Sequence, residues 1–259
     1  MKIVVLVKHV PDAVGDRHFA PDHTTDRAAV DGLLSELDEY AVEQSLRVIE
    51  AAGEGEITFM TMGPEAAGLA LRKALSMGGD NAVHIMDDAL HGSDALATSL
   101  VLAAAIKARD FDLVITGMAS TDGGMSVVPT MLAERLGLPS LTWAAELAVD
   151  GSTVRIRRDG DAASETIEAT LPAIVSVTDQ TGEARYPSFK GIMAAKKKPV
   201  EILSLADLGI SPDQVGLAAA WTAVESVAAR PPRQAGIKVP DEGNGAVALA
   251  DYLATQKFI

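Results

Sequence analysis

The feature that most constrains the fold of this chain is an alternation of short apolar runs with longer segments of helical periodicity. The short runs are apolar without strict alternation, which indicates strands buried on both faces of a sheet. These predicted strands are residues 3–7, 57–61, 82–86 and 113–116. Between them apolar residues recur every three or four positions, which predicts helices within residues 42–49, 67–75, 96–104 and 127–136. Strand-helix repetition of this kind requires right-handed crossovers. We therefore predict an α/β fold with a mostly parallel, doubly wound sheet.

The pattern changes after Pro139. Residues 153–157 and 165–170 alternate in polarity and follow the turn dipeptide Asp150-Gly151, which predicts a β-hairpin addition to the main sheet. Residues 171–177 form another apolar run, which we interpret as a strand near the middle of the sheet.

Beyond residue 204 the periodicity weakens and glycine and proline recur, leaving only residues 246–255 as a credible helix. A tail of roughly fifty residues with so little apolar periodicity does not bury itself. We therefore predict an α/β domain over residues 1–204 and an extended C-terminal arm over residues 205–259 that packs on another surface.

Composition excludes several classes of function. The net charge of −14 and the pI near 4.7 argue against nucleic-acid binding, which needs a basic stripe. The absence of cysteine excludes disulfides, iron–sulfur clusters and thiolate chemistry. No apolar run approaches the roughly 18 residues of a membrane span, and residues 1–10 are predicted to be a strand rather than a signal peptide. A cytoplasmic location is expected.

One segment has the layout of a phosphate site. A strand runs into Gly117, a polar loop follows, and Asp122-Gly123-Gly124 is predicted to open a helix that Thr121 or Asp122 would cap. Glycines and a helix start expose amides to an anion. The same layout is ordinary punctuation in α/β proteins, so it is not diagnostic alone. The chain lacks both GxGxxG after the first strand and GxxxxGK[ST], which disfavours an NAD site and a P-loop.

No set of residues is typical of a catalytic or metal site. The histidines lack the spacing of metal ligands, no GxSxG motif occurs, and His84 on a predicted strand is interpreted as structural. We therefore predict no catalytic residues and no metal.

Residues 185–198, which we predict to be a loop and call the docking segment, concentrate cations and apolar side chains in an acidic chain. Apolar anchors beside local charge are typical of docking surfaces, although a solvated lysine run is the simpler alternative.

Four stretches occur in the same order as in one known family: MKIVVLVKHVPD, DEYAVEQSLR, GPEAAGLALRKALSMGGDNAVHI and RYPSFKGIMAAKKK. Over nearly its whole length the chain resembles the beta subunits of electron transfer flavoproteins. The resemblance implies a Rossmann-like, adenine-nucleotide-binding fold in an electron-carrier subunit that is not an enzyme. It also implies a heterodimer with an alpha subunit that holds most of an FAD, a structural AMP in this subunit, and an arm that reaches over the alpha subunit.

The resemblance also implies the route of the electrons and the residues involved. Acyl-CoA dehydrogenases, as in fatty acid oxidation, would deliver electrons, which pass through a quinone oxidoreductase toward the respiratory chain. The implied AMP-binding residues are Leu6, Ser35, Glu36, Leu37, Asp38, Met62, Gly117, Met118, Ala119, Ser120, Thr121, Asp122, Gly123, Gly124, Met125, Ser126, Val127 and Val128. The implied docking residues are Tyr186, Phe189, Lys190, Ile192, Met193, Lys196 and Lys197.

Some positions depart from the family pattern. Ser35-Glu36 stands where relatives often carry Asn-Pro, and Phe189 stands where a leucine anchor is common. The positions nearest the flavin are Asp12, Ala13 and Leu37, and aromatic residues occupy these places in some relatives.

Three alternatives stay open or are disfavoured. A second FAD in place of AMP, with NADH as donor, is the alternative within the family. A stand-alone adenylate-binding regulatory module is another, which the arm and the docking segment disfavour. An ATP-pyrophosphatase of related fold would need a glycine-rich loop after the first strand, which KHVPDAVGD does not provide.

Overall fold

A computed structural model describes residues 1–233, 235–236 and 238–259. The chain divides into two compact units, Met1–Glu225 and Ser226–Ile259. The arm predicted from residue 205 therefore begins inside the first unit, where Leu205, Ile210 and Val215 are buried. Gln234 and Ile237, which belong to the predicted arm, lie outside the described residues.

The first unit contains all twelve strands and six of the seven helices of the described chain. The strands are β1 (Lys2–Leu6), β2 (His9–Pro11), β3 (Gly32–Leu34), β4 (Glu56–Met62), β5 (Asn81–Ile85), β6 (Leu113–Gly117), β7 (Ser140–Ala144), β8 (Glu146–Asp150), β9 (Thr153–Asp159), β10 (Ser164–Thr170), β11 (Ala173–Val177) and β12 (Val200–Leu203). The helices are α1 (Glu36–Ala52), α2 (Gly68–Met77), α3 (Ala95–Lys107), α4 (Val128–Leu136), α5 (Phe189–Ala195), α6 (Gly216–Ala219) and, in the second unit, α7 (Gly245–Thr255).

Seven parallel strands form the main sheet in the order β12-β5-β4-β1-β6-β11-β7. Alternate residues of each strand point to opposite faces, so Val5 packs with the residues of α1 and α2 while Val4 packs with those of α3 and α4. Both faces are covered and apolar, which explains the continuous apolar runs. The predicted doubly wound α/β sheet is confirmed.

The hairpin addition is a three-stranded antiparallel sheet, β10-β9-β8. The predicted turn at Asp150-Gly151 joins β8 to β9, and Gly151 has φ +57°. Strands β7, β8 and β12 were not predicted. The strand expected near the middle of the sheet is β11, which lies next to the edge strand β7, so that placement was wrong. The apolar runs in the sequence indicate where strands occur, but they do not determine the order of the strands in the sheet.

The placement of β6 beside β1 indicates where this sheet is expected to bind a ligand. The chain proceeds from β1 outward to β4 and β5, and it then returns to pair β6 on the other side of β1. An open α/β sheet binds ligands at the carboxyl ends of its strands where the order reverses in this way. We use the name carboxyl edge for the ends of β1, β4 and β6 with residues 35–38 and 117–128.

The second unit is built around a single described helix. Asp241 accepts hydrogen bonds from the amides of Gly243 and Gly245 at the start of α7, at 2.9 Å each. No residue of α7 is buried, and Val247, Leu249 and Tyr252 are all more than half exposed. Among the described residues of the whole chain, no helix combines the length and the apolar character needed to cross a bilayer.

Candidate functional site

Three predicted site residues end three adjacent strands. Leu6 ends β1, Met62 ends β4 and Gly117 ends β6, and β1 lies between the other two strands. Parallel pairing aligns these ends, with Leu6 opposite Met60 and Val5 opposite Ile115. The main chain continues in register past β1, since the amide of Val7 donates to Met60 at 2.9 Å. The structure therefore brings these three positions to one edge.

Residues 35–38 are bound to the end of β1 through the main chain of Lys8. The amide of Ser35 donates to the Lys8 carbonyl at 2.9 Å, and the Lys8 amide donates to Asp38 Oδ2 at 2.8 Å. Ser35 and Asp38 are buried, Leu37 is half-buried and Glu36 is exposed. Helix α1 thus begins directly on the carboxyl edge.

Gly117 is required by a close approach between β6 and the start of α1. A Cβ atom at this position would lie 2.5 Å from Asp38 Oδ1 and 2.8 Å from the Leu37 carbonyl oxygen. Real side chains do not tolerate such contacts, so any residue other than glycine would separate the two segments.

Asp38 is a fully buried carboxyl group within this contact. Burial raises its pKa to about 7, although the hydrogen bond from the Lys8 amide and the charge of Lys8 oppose the shift. The pKa is high because a buried carboxylate has lost its hydration and receives only partial compensation. The site therefore contains a carboxyl group that titrates near neutral pH.

Asp122 holds together the loops of the carboxyl edge. Its Oδ1 accepts from Lys8 Nζ at 2.7 Å, and its Oδ2 accepts from Arg27 at 3.0 Å. Lys8 Nζ also donates to Ser120 Oγ at 3.2 Å. The Asp122 side chain is only 6% exposed, whereas both cations are partly exposed. Two cations share this carboxylate, and the nearby Asp38 titrates near neutral pH, so it offsets only part of the remaining positive charge.

The predicted helix cap at Thr121 or Asp122 was wrong. Helix α4 begins at Val128 and has no side-chain cap. Burial would raise the pKa of Asp122, but Lys8 and Arg27 overcome that effect and hold the pKa below its usual range. The Asp122 carboxylate is therefore paired with the two cations and does not cap α4. The amide of Thr121 instead donates to Ser35 Oγ at 3.4 Å, which ties the loop to the start of α1.

The amides that precede α4 fit an anionic ligand. Among the described residues, no protein atom accepts a hydrogen bond from the amides of Met125, Ser126 or Val127. Gly124 and Ser126 have φ of +61° and +59°, in the left-handed region that occurs in anion-binding nests of successive amides. Free amides at an uncapped helix start, near an excess of positive charge, suit a phosphate. The residues present therefore fit a phosphate group.

The other predicted site residues lie along the same loop. The amide of Met118 extends the sheet by donating to Val177 at 2.9 Å, and the loop then passes through half-exposed Ala119 and Ser120 to exposed Gly123. Gly123 donates to Ser120 Oγ at 3.2 Å, which tightens the turn. Val128 is the first residue of α4.

Sequence reasoning missed Lys8 and Arg27. Lys8 follows a buried strand immediately, and a cation at that point of an α/β sheet was the available signal. Arg27 lies in the long connection between β2 and β3, and no periodicity indicates that its guanidinium reaches Asp122 and the His9 carbonyl, the latter at 3.2 Å. Burial and the nearby Arg27 charge lower the pKa of His9.

Of the positions predicted nearest the flavin, Asp12 and Ala13 lie in the connection between β2 and β3, and Leu37 lies in the first turn of α1. Asp12 directly follows β2, and its carboxylate accepts from the amide of Val14 at 2.9 Å. Ala13 is exposed and Leu37 is half-buried. None of these three side chains is aromatic.

The docking segment is not a loop throughout, which corrects the prediction. Residues 189–195 form α5, and Ser188 caps the helix by accepting from the Gly191 amide at 3.0 Å. Tyr186 is 93% exposed and Phe189 is 81% exposed. Lys190, Lys196 and Lys197 are exposed as well, together with Ile192 and Met193.

Two cations of the docking segment, Arg185 and Lys198, form hydrogen bonds with other parts of the first unit. Arg185 donates to Glu43 Oε2 at 2.8 Å and to Glu50 Oε1 at 2.6 Å. Lys198 donates to the Leu75 and Gly78 carbonyls at 2.9 and 3.0 Å. Burial opposes ionisation of Glu43, yet hydrogen bonds from Arg185 and Arg47 lower its pKa to about 2. The exposed charge of the segment therefore comes from the other three lysines.

The described residues contain no group of three or more histidine, aspartate or glutamate side chains that could hold a metal ion. His84 is buried, and its Nε2 lies 2.9 Å from the Gly63 carbonyl, in agreement with a structural role.

Comparisons with known proteins agree over most of the chain. The family model for the electron transfer flavoprotein domain matches residues 22–208. A protein of Mycobacterium tuberculosis named electron transfer flavoprotein subunit beta is 47% identical over 263 aligned positions, covering 99% of both chains. The protein of the same name from Megasphaera elsdenii is 32% identical, with full coverage of both chains. A caffeyl-CoA reductase-Etf complex subunit, CarD of Acetobacterium woodii, is 34% identical over 86% of each chain.

Proposed function

This chain belongs to the electron transfer flavoprotein family as a beta subunit, and from that premise we propose that it carries electrons as one half of a heterodimer with an alpha subunit. The observation that carries the proposal is the 47% identity over 99% of both chains with a protein of that name. The chain has no catalytic constellation of its own in this proposal. Its contribution is to bind, position and shield cofactors.

The carboxyl edge is the proposed site of a structural AMP. The free amides of Met125, Ser126 and Val127 and the partly exposed cations Lys8 and Arg27 support this assignment, because together they match a phosphate in charge and hydrogen bonding. Gly117 keeps the two halves of the site in contact. The phosphate of a bound adenylate would place negative charge near Lys8 and Arg27, which share the carboxylate of Asp122.

An FAD held mainly by the alpha subunit supplies the electron chemistry when it is bound. This chain's proposed part is to close one side of the flavin with the loop that carries Asp12 and Ala13 and with the start of α1 at Leu37, and to exclude water there. None of these side chains offers an aromatic ring, so the wall is proposed to act by packing and by charge.

The docking segment is the proposed contact for acyl-CoA dehydrogenases, which deliver electrons that a quinone oxidoreductase later receives. The exposure of Tyr186 and Phe189 supports this, since large side chains that remain 93% and 81% exposed are available to a partner. Exposed Lys190, Lys196 and Lys197 suit an acidic partner surface.

The C-terminal unit is proposed to pack on the alpha subunit. The support is that α7 contains no buried residue although Val247, Leu249 and Tyr252 lie on it. An isolated helix of this length is marginal in water, so such a helix gains stability from a covering surface. The cytoplasmic location stays a prediction.

Native mass spectrometry of the complex co-expressed with its alpha subunit tests the cofactor assignment. We expect one heterodimer with one FAD and one AMP. Two FAD molecules and no AMP would support the alternative with a second flavin. A monomer with an adenylate and no flavin would contradict the carrier function and support the regulatory module.

Phe189→Ala tests docking. We expect the concentration of acyl-CoA dehydrogenase needed for half-maximal reduction of the heterodimer to rise on the order of thirtyfold, since a buried aromatic anchor contributes about 2 kcal/mol or more. An unchanged reduction rate at low partner concentration would remove Phe189 as an anchor.

A further inference from the structure

The first end of the docking segment is fixed to α1. Arg185 donates to both Glu43 and Glu50, and its own amide donates to Glu43 Oε2 at 3.1 Å. Glu43 is buried and also accepts from Arg47 at 2.7 Å. A guanidinium held by two carboxylates of one helix is a directional contact, because the planar fork fixes the orientation of the chain.

The second end is fixed to α2 by two cationic side chains, one from α2 and one from the docking segment, each of which donates to carbonyls of the other segment. Arg72 of α2 donates to the carbonyls of Ala195 at 2.6 Å and Lys198 at 3.1 Å, where α5 ends. Lys198 in turn donates to the carbonyls of Leu75 and Gly78, where α2 ends. The last carbonyls of a helix have no partner within the helix and attract cations. Each cation here satisfies the open end of the other helix.

Between these two ends α5 and α2 are in backbone contact. A Cβ atom on Gly191 would lie 2.4 Å from the Ser76 carbonyl oxygen, so only glycine permits this approach. The adjacent surface is a groove lined by Arg72, Lys73, Ser76, Ile192, Ala195 and Lys196. The segment is therefore held at both ends and touches the body at its centre, while Tyr186 and Phe189 remain largely exposed.

The three consecutive lysines consequently differ in their surroundings. Lys196 and Lys197 are exposed, whereas Lys198 is half-buried with its ammonium on two carbonyls. An ammonium bound to two neutral carbonyls keeps its charge and also fixes the main chain that carries it. Its effect is on the conformation of the segment.

We propose that Arg72 and Lys198 are positioning residues, which hold the docking segment in its binding conformation before a partner arrives. The inference rests on the proposed docking function and deepens it. A preordered segment binds more tightly because little conformational freedom is lost on association. The apparent dissociation constant equals the intrinsic constant divided by the fraction of molecules in the competent conformation.

The test compares Lys198→Met with Lys197→Met in the intact heterodimer. Both changes remove one positive charge, but only Lys198→Met removes the two carbonyl contacts. We expect Lys198→Met to raise the KM of an acyl-CoA dehydrogenase for the heterodimer about tenfold, with kcat unchanged at saturating heterodimer, as the competent fraction falls to about one in ten. Lys198→Arg, which keeps the donors, should restore most of the affinity.

Two further measurements separate positioning from charge. Hydrogen exchange of the Ile192 and Lys197 amides, which donate to Ser188 and Ala194, should accelerate in Lys198→Met and not in Lys197→Met. In about 1 M salt the Debye length is about 3 Å, so the effect of Lys197→Met should vanish while that of Lys198→Met persists. If Lys198→Met fails to assemble, Lys198→Gln, which retains an amide donor, replaces it.

The proposal is overturned if exchange is unchanged in Lys198→Met, if exchange accelerates without a rise in KM, or if the rise in KM disappears in high salt. Phe189→Ala distinguishes this failure from a failure of the docking function. If Phe189→Ala raises KM and Lys198→Met does not, docking stands and positioning is wrong. If neither variant changes KM, the docking function is wrong and the positioning role is lost with it.

Discussion

The carboxyl edge and the docking segment both combine lysine or arginine with acidic side chains, yet they use the charges in opposite ways. At the carboxyl edge Lys8 and Arg27 converge on a buried carboxylate, Asp122, and leave amides open toward a ligand. In the docking segment the engaged cations Arg185 and Lys198 are turned into the body, so that Phe189 and its apolar neighbours remain outside.

The difference teaches what each region depends on. The carboxyl edge is an interior whose ionisable groups must be paired, because an unpaired buried charge is costly. The docking segment is a surface held by inward-turned cations and by main-chain contacts, so its outward side chains can change with little effect on folding. The following predictions test that contrast, beginning with the largest expected effect.

Gly117→Ala should destabilise the first unit by about 3 kcal/mol, because the new Cβ atom must displace Asp38 and the Leu37 carbonyl. Urea denaturation followed by circular dichroism measures the loss. Gly123→Ala is the control, since its Cβ would meet only the Ser120 hydroxyl, at 3.1 Å, and Lys8 Nζ beyond it. Equal losses in the two variants would show that the contact at Gly117 is not tight.

Asp38→Asn should stabilise the protein increasingly as the pH rises. The folded pKa of Asp38, about 7, lies above its unfolded value, so its contribution to stability is complete below about pH 4 and is lost as the pH rises through 7. Asparagine keeps the acceptor for the Lys8 amide and does not titrate. We expect the free energy of unfolding of the variant, relative to the unmodified protein, to increase on the order of 2 kcal/mol between pH 5 and pH 8.

Urea denaturation at the two pH values measures this change. Asp207→Asn is the control, because hydrogen bonds from Ser204 lower the pKa of that exposed carboxylate and no gain at high pH follows. A difference for Asp38→Asn that stays constant with pH would contradict a buried, neutral-titrating carboxyl group.

Glu43→Gln should cost about 1.5 kcal/mol at neutral pH, since a buried carboxylate loses charge-assisted hydrogen bonds from Arg185 and Arg47. The folded pKa of about 2 lies below the unfolded value, so this advantage is present above about pH 4.5 and is lost as the pH falls through about 2. Thermal unfolding at pH 7 and pH 3 measures both effects.

Glu50→Gln is the matched control for Glu43→Gln. Its carboxylate also accepts from Arg185 but is more than half exposed, so the loss should stay below about 0.5 kcal/mol. A cost at Glu50 as large as that at Glu43 would mean that burial does not decide the strength of this anchor.

Phe189→Ala should change the free energy of unfolding by less than about 0.5 kcal/mol, because the ring is 81% exposed. Chemical denaturation of the heterodimer measures it, with Tyr186→Ala as a second exposed probe. A loss well above that range would show that the ring packs on the body and is not reserved for a partner.

The main sheet could be predicted because burial on both faces leaves a mark on composition. Strands β1, β4, β5 and β6 are mostly apolar and buried at most positions, and the intervening helices keep their period. The edge strands β7 and β12 are less buried and carry no such signal. Helix α5 was not predicted because it has only seven residues. Its position depends on the close approach of Gly191 to α2 and on the Ser188 cap.

The candidate site shows the same division. Leu6, Met62 and Gly117 were implied by the family resemblance, and their meeting at one edge follows from parallel pairing of the strands that they end. The role of Asp122 could not be read from its neighbours, since a helix cap and an ion pair require the same residue type. Arg27 reaches it from a distant loop, and only the folded chain brings them within 3.0 Å.

By itself the sequence determined the class of fold, the strands of the sheet interior and the chemical character of the exposed segments, because these depend on local composition and period. Only the tertiary structure decided which charges are buried together, which glycines are forced by contact and which lysines are turned inward. Those outcomes depend on distances between segments far apart in the chain, and Coulombic and steric energies vary steeply with such distances.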